Sequence, residues 1–253
     1  MKIHPTALVD AAAKLAEDVE VGPFCVVGPE VAIGPGCRLL ARVRIDGRVT
    51  VGRGNVFHPN AVIGGPPQDT QPPAPDARIE IGDENVFRES VTVNLPKVPG
   101  RPTRVGSRNR FHAASHVGHD CVVGDGAVLC SHAVLGGHSV LQDACVVEGM
   151  GGTHQFVTVG RLARCRSHIP ITEDVPPFML IDGNHFEVIG VNPACRGAAL
   201  ENAFEVIWKS GLPRSESLAR LESDASAEVR ELVAFLRRRD AGRNGRAEEA
   251  RRG

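Results

Sequence analysis

The sequence predicts an all-β solenoid, a parallel β-helix of hexapeptide repeats followed by a small C-terminal α-helical region. Three observations predict it. Aliphatic or aromatic residues recur every six positions from Ile3 through Val9, Leu15, Val21, Val27, Ile33, Leu39, Ile45, Val51 and Phe57 to Ile63. The register returns at Ile81, Phe87 and Val93 and runs from Val105 to Ile171, weakened only at Thr153 and Cys165. Glycine often follows the aliphatic residue, as in Val27-Gly28, Val51-Gly52, Val123-Gly124 and Leu135-Gly136, which marks tight corners between short strands. Aromatic residues are scarce, with no tyrosine, one tryptophan and nine phenylalanines in 253 residues, as suits a narrow core of Val, Ile and Leu. Helices repeat near 3.6 residues and strands near 2, so a sustained period of six fits neither a bundle nor an ordinary sheet. It fits coils whose inward side chains stack on those of the next coil.

The repeat assigns residues 1–192 to one solenoid domain, residues 193–239 to a helical cap and residues 240–253 to a disordered tail. Two proline-rich segments, 64–78 and 94–104, keep the numerical register but lose its apolar marks, and read as loops thrown out of the wall. Loops on a rigid scaffold are favoured places for function. In the cap, Leu200, Ala203, Phe204, Ile207 and Trp208 have helical spacing over 198–210, and Val229, Leu232, Val233 and Leu236 mark a second helix over 227–238. Both would cover the open end of the stacked coils. The last fourteen residues hold seven charges and no apolar anchor, hence the expected disorder.

A net charge of -1 argues against a nucleic-acid protein held by bulk positive charge. Seven cysteines without a C-x-x-C pair suggest neither a disulfide framework nor a thiolate zinc site, and read as buried reduced thiols. The start lacks a signal-peptide core, and no stretch approaches the roughly 20 apolar residues of a membrane span, so a cytoplasmic protein without an integral membrane segment is expected.

Five of the ten histidines fall between His112 and His138, and the densest group is Ser115-His116-Val117-Gly118-His119-Asp120. With about 18 residues per coil, His119, His138 and His154 would stack along one edge as a polar ladder. A groove histidine can take a proton from a substrate hydroxyl near neutral pH, with Asp120 fixing its tautomer. Surface or interface histidines, and a zinc site shared between subunits, are the competing readings of the same residues.

An ordered set of motifs then carries a resemblance. Ile3-His4-Pro5-Thr6-Ala7, Gln68-Asp69, Arg88-Glu89-Ser90-Val91-Thr92, Gly118-His119-Asp120, His154-Gln155-Phe156, Asp174-Val175-Pro176-Pro177, Gly183-Asn184-His185 and Gly190-Val191-Asn192 occur in sequence. Together they resemble the acyl-[acyl carrier protein]:UDP-N-acetylglucosamine O-acyltransferase family of lipid A biosynthesis. The resemblance implies a left-handed β-helix, a homotrimer with sites between subunits, acyl carrier protein and a UDP-sugar as partners, and no metal or cofactor. It implies His119 as general base for the sugar 3-hydroxyl, Asp120 as its orienting partner and the Gly137 N–H as oxyanion donor. Asp69, His116, His138, His154, Gln155 and Asn192 would line the sugar-nucleotide site, and Arg161, Arg164 and Arg166 would offer docking charges to the acidic carrier. The competing functions are a paralogue acting on another nucleotide sugar or an amino-sugar, and a non-catalytic sugar-nucleotide scaffold.

The chain departs from the family pattern in three places. Gln71 stands where a lysine usually follows Gln-Asp, and Asn94-Leu95-Pro96 replaces the usual His-Arg-Gly. After Asn192 a basic cluster is reduced to Arg196. Fewer charge-assisted contacts predict a weaker hold on a diphosphate.

Overall fold

A computed structural model describes residues 2–183 and 186–249. Asn184 and His185 of the motif set, and residues 250–253 of the charged tail, lie outside them. Short strands, most of two residues, stack into three sheets of eleven, nine and eight strands, parallel except for the final strand of the first, that form the sides of a prism. Partners such as Val26↔Arg44, His116↔Val134 and Val140↔Thr158 lie eighteen positions apart, so three hexapeptides make one coil. The residues of the six-residue register point inward: Ile45, Phe57, Ile63, Leu129, Leu135 and Ile171 are all essentially inaccessible to solvent.

Larger side chains fill the prism by stacking on their own kind. Phe57, Phe87 and Phe111 pile face to face at 4.7 and 4.8 Å. Beside them runs a buried asparagine ladder: the Asn85 amide donates to Asn55 Oδ1 at 2.9 Å, and Asn85 Oδ1 accepts from the Asn109 backbone N–H at 2.9 Å. Such a ladder satisfies corner backbone groups that the turn leaves without strand partners.

Two coils are longer than the rest. Arg48 pairs with Arg78, thirty positions on, and Ile79 with Thr103, twenty-four positions on. The surplus residues form the two expected loops, and these are laced together. The Leu95 N–H donates to Gly65 O at 2.8 Å, the Ala74 N–H to Pro96 O at 3.0 Å, and the Gly100 N–H to an Asp76 carboxylate oxygen at 2.7 Å. The Asn94 amide donates to Pro66 O.

A hairpin of Met179–Asp182 and Glu187–Val191 ends the prism. Three helices follow: α1 (Ala198–Phe204), which runs on into a π-helical stretch at Glu205–Lys209, α2 (Arg214–Leu221) and α3 (Ala227–Asp240). Helix α2 has no counterpart in the sequence reading, because only Leu218 and Leu221 supply its apolar face. Helix α3 begins where the Ser226 hydroxyl accepts from the Val229 N–H, and buries the four apolar residues that predicted it. No helix among the described residues is long and apolar enough to cross a membrane.

The tail differs from the expected disorder as far as Glu249. Arg246 is buried, and its guanidinium donates to Thr172 O at 2.7 Å, while the Ala247 N–H donates to an Asp174 carboxylate oxygen at 2.8 Å. Its hold is polar, supplied by backbone groups and one carboxylate, so hydrophobic pattern does not announce it.

Candidate active site

The site is built on a corner that recurs in three successive coils. Asp120, His138 and Phe156 occupy the same corner position with left-handed φ angles of 60°, 63° and 67°. The His138 N–H donates to His119 O at 3.0 Å and the Phe156 N–H to Gly137 O at 3.1 Å, which locks the corners one above another. The His138 ring packs edge-on against His119 at 4.9 Å and lies flat on Phe156 at 4.5 Å. The ladder is therefore His119–His138–Phe156. His154 is not its third rung: it precedes the corner by two residues, is exposed, and donates from Nδ1 to Gln155 O at 3.2 Å.

His119 is buried, with its side chain 7% exposed, and its Nδ1 lies 2.8 Å from Asp120 Oδ2. Burial pushes the Asp120 carboxyl up, but the His119 bond and the backbone N–H groups of Lys97 and Val98, at 3.1 and 3.0 Å, outweigh it and bring it to about 2. An ionised carboxylate can only accept, so Nδ1 carries a proton, and in the neutral ring Nε2 is then the nitrogen with the lone pair. Gly137 makes this possible, because a Cβ there would stand 2.2 Å from His119 Cε1. The imidazole lies where any other residue would put its side chain.

Nε2 of His119 faces Asp69, whose Oδ2 is 4.0 Å away. Both residues line a groove of about 500 Å³ shared with His116, Asn94, Gly137 and Gln155. His116 is held by Thr92, whose hydroxyl is 2.7 Å from its Nδ1. Burial, and then the neighbouring His119, push the His116 imidazole below its ordinary range and keep it neutral. On the other side of the ladder, Asp120, His138 and Phe156 face a second cavity of about 660 Å³ with Val122, Val140 and Arg104 in its walls.

The structure thus brings His119, Asp120, Gly137, Asp69, His116, His138 and Gln155 together in one chain. Asn192 stands apart: its side chain is buried, donates to Leu162 O at 2.7 Å and accepts from the Ala194 N–H at 3.2 Å. His119, Asp120 and His138 offer possible metal-ligand atoms within 4.8 Å of one another, with Asp120 already engaged by two backbone N–H groups. The three arginines all have carboxylate partners: Arg161 with Glu231 of α3 at 2.8 Å, Arg164 with Glu148 at 2.6 Å and Arg166 with Asp182 at 3.4 Å. Sequence reasoning missed Lys97 and Thr92 as site residues. Thr92 lies on the coil before His116, and only the twenty-four-residue step reveals that they touch.

A stack of hexapeptide coils carrying a buried histidine and aspartate pair on its wall places the chain in the class of hexapeptide-repeat β-helix proteins. Relatives narrow that class. Residues 174–245 match the family described as "Udp N-acetylglucosamine O-acyltransferase; Domain 2". The acyl-[acyl-carrier-protein]–UDP-N-acetylglucosamine O-acyltransferases of Syntrophobacter fumaroxidans and Verminephrobacter eiseniae are each 38% identical to this chain, over 93% and 92% of it and 96% and 95% of their own lengths. Among solved structures, the UDP-N-acetylglucosamine acyltransferase of Bacteroides fragilis matches with a TM-score of 0.89 at 30% identity, covering 93% of this chain and 96% of that one. The Arabidopsis UDP-N-acetylglucosamine acyltransferase matches with a TM-score of 0.80 at 25% identity, covering 93% and 96%. The chain belongs to the acyl-[acyl-carrier-protein]–UDP-N-acetylglucosamine O-acyltransferase family, and its prism is the left-handed parallel β-helix.

Proposed function

We propose that this protein transfers a (3-hydroxy)acyl group from acyl carrier protein to the 3-hydroxyl of UDP-N-acetylglucosamine, the first step of lipid A biosynthesis. The observation that carries the mechanism is the buried pair His119–Asp120 laid against Gly137, with Nε2 turned toward the groove. His119 Nε2 takes the proton of the sugar hydroxyl as its oxygen attacks the thioester carbonyl. The new C–O bond leaves an oxyanion facing the Gly137 N–H. Its collapse breaks the C–S bond, and the imidazolium returns its proton to the departing thiolate. General-base help is worth about 10²- to 10⁴-fold and one oxyanion donor about 10²- to 10³-fold.

Asp69, His116, His138 and Gln155 hold the sugar nucleotide from within the chain; His154 contributes from a neighbouring subunit of a homotrimer, and Asn192, its side chain engaged by Leu162 and Ala194, shapes the backbone of that surface without touching the ligand. Exposed Val122, Val134 and Met150, at 39%, 42% and 59%, supply apolar surface for such a neighbour. The acyl thioester is the co-substrate, with no metal or cofactor, and the reaction belongs to the cytoplasm.

Purified protein incubated with UDP-N-acetylglucosamine and acyl carrier protein thioesters of several chain lengths should yield acylated sugar nucleotide by mass spectrometry. That product should vanish with His119→Ala in a protein that remains folded. Full turnover by the variant would refute the mechanism, and no product from the unaltered protein with any thioester would refute the acceptor.

A further inference from the structure

The second inserted loop does more than cover the groove, because one of its residues contacts both carboxylates that flank His119. The Lys97 backbone N–H donates to Asp120 on the Nδ1 side, and the Lys97 ammonium is bonded to Asp69 on the Nε2 side. Its side chain is 16% exposed. This is not a solvated surface lysine, and the twofold hold is specific to the path of residues 94–104 across the groove.

The charges facing His119 come from every element around it. Asp120 lies beside it in its own corner, Asp69 and Lys97 arrive on the two loops, His138 packs from the next coil and His116 from its own. Two carboxylates around one imidazole would stabilise its protonated form, which is useless as a base. The ammonium holds the Asp69 carboxyl below its ordinary range and cancels its charge. His119 then feels one net negative neighbour, the one that fixes its tautomer, instead of two.

Resting on the acyl-transfer reading above, we propose that Lys97 is a positioning residue which keeps His119 available as a base by neutralising Asp69. It acts through Asp69 and need not touch the sugar. Gln71, whose backbone N–H also donates to Asp69, carries no charge of its own.

Lys97→Met, Asp69→Asn, the double variant and Lys97→Arg test this through the pH dependence of kcat/KM. Lys97→Met should move the acid limb to higher pH by about one unit, the effect of one charge within about 4–6 Å. Asp69→Asn should move it to lower pH, the double variant should bring it back near the original, and Lys97→Arg should leave it in place. A loss of activity with an unmoved acid limb in Lys97→Met, or a double variant that behaves like Lys97→Met, would overturn the proposal. Protonation of the imidazole in substrate-free protein, followed through its ring Cε1–H resonance, should shift in the same directions. That readout needs no turnover, so it separates failure of this proposal from failure of the acyl-transfer reading.

Discussion

Asp120, midway along the solenoid, and Asp174, at its C-terminal end, each accept two backbone N–H groups, both from an inserted loop at Asp120 but one from the tail and one from the Thr158 strand of the prism at Asp174. Their carboxyl groups nevertheless move in opposite directions, to about 2 at Asp120 and to about 6 at Asp174. Burial raises both. At Asp120 the bond to His119, the loop N–H groups and the charge of His138 overcome it. At Asp174 the N–H groups of Ala247 and Thr158 offset it only in part; Arg239 is engaged by Glu173, and Glu248 adds a like charge. The same donors thus build a permanently ionised partner for a base at one site and a latch for the tail at the other. Facing charge, more than hydrogen-bond count, separates the two roles.

The largest expected effect falls at the first site. His119→Ala should reduce turnover by about 10²- to 10⁴-fold with little change in melting temperature. Gly137→Ala should follow, because its methyl displaces the imidazole, and a misplacement near 1 Å costs about 10²-fold. Steady-state kinetics beside thermal melts checks both, and a Gly137→Ala enzyme of full activity would show that the ring need not lie against the backbone. The latch should behave in reverse: Asp174→Ala strands two N–H groups and should cost about 1–3 kcal/mol of stability while kcat at 25 °C holds. Denaturant unfolding with an assay on the same sample separates these, and a kinetic loss without a stability loss would erase the distinction between the two regions.

The smallest effect is in the pH dependence of stability, and its sign differs between the sites. Asp120 has a depressed folded value, so its contribution is present above about pH 4 and lost as pH falls toward about 2. Asp174 has a raised folded value, so the fold binds its proton more tightly. Its contribution is present below about pH 4 and lost as pH rises through about 6. Melts between pH 4 and 7 should therefore show a downward slope that Asp174→Asn flattens, by a few degrees at about 2–4 °C per kcal/mol. An unchanged slope would mean that the latch is not the titrating group.

The solenoid was legible because a coil repeats one local rule. An inward aliphatic side chain every sixth residue needs no knowledge of distant partners, and the stacked phenylalanines and the α3 face follow from the same hydrophobic logic. His119 and Asp120 were legible because they are adjacent in the chain and their chemistry is carried in a short motif.

What the tertiary structure decided depends on how many residues each coil holds and where polar groups meet across coils. Coil steps of thirty and twenty-four residues bring Asp69 and Lys97 to His119, and a strict eighteen-residue step puts Phe156, not His154, on His138. Helix α2, with two apolar residues, and the tail's polar seat on Asp174 and Thr172 left no periodic trace. Hydrophobic burial is written into sequence as spacing, whereas ion pairs and backbone-to-carboxylate bonds are set by distances that exist only once the chain has coiled.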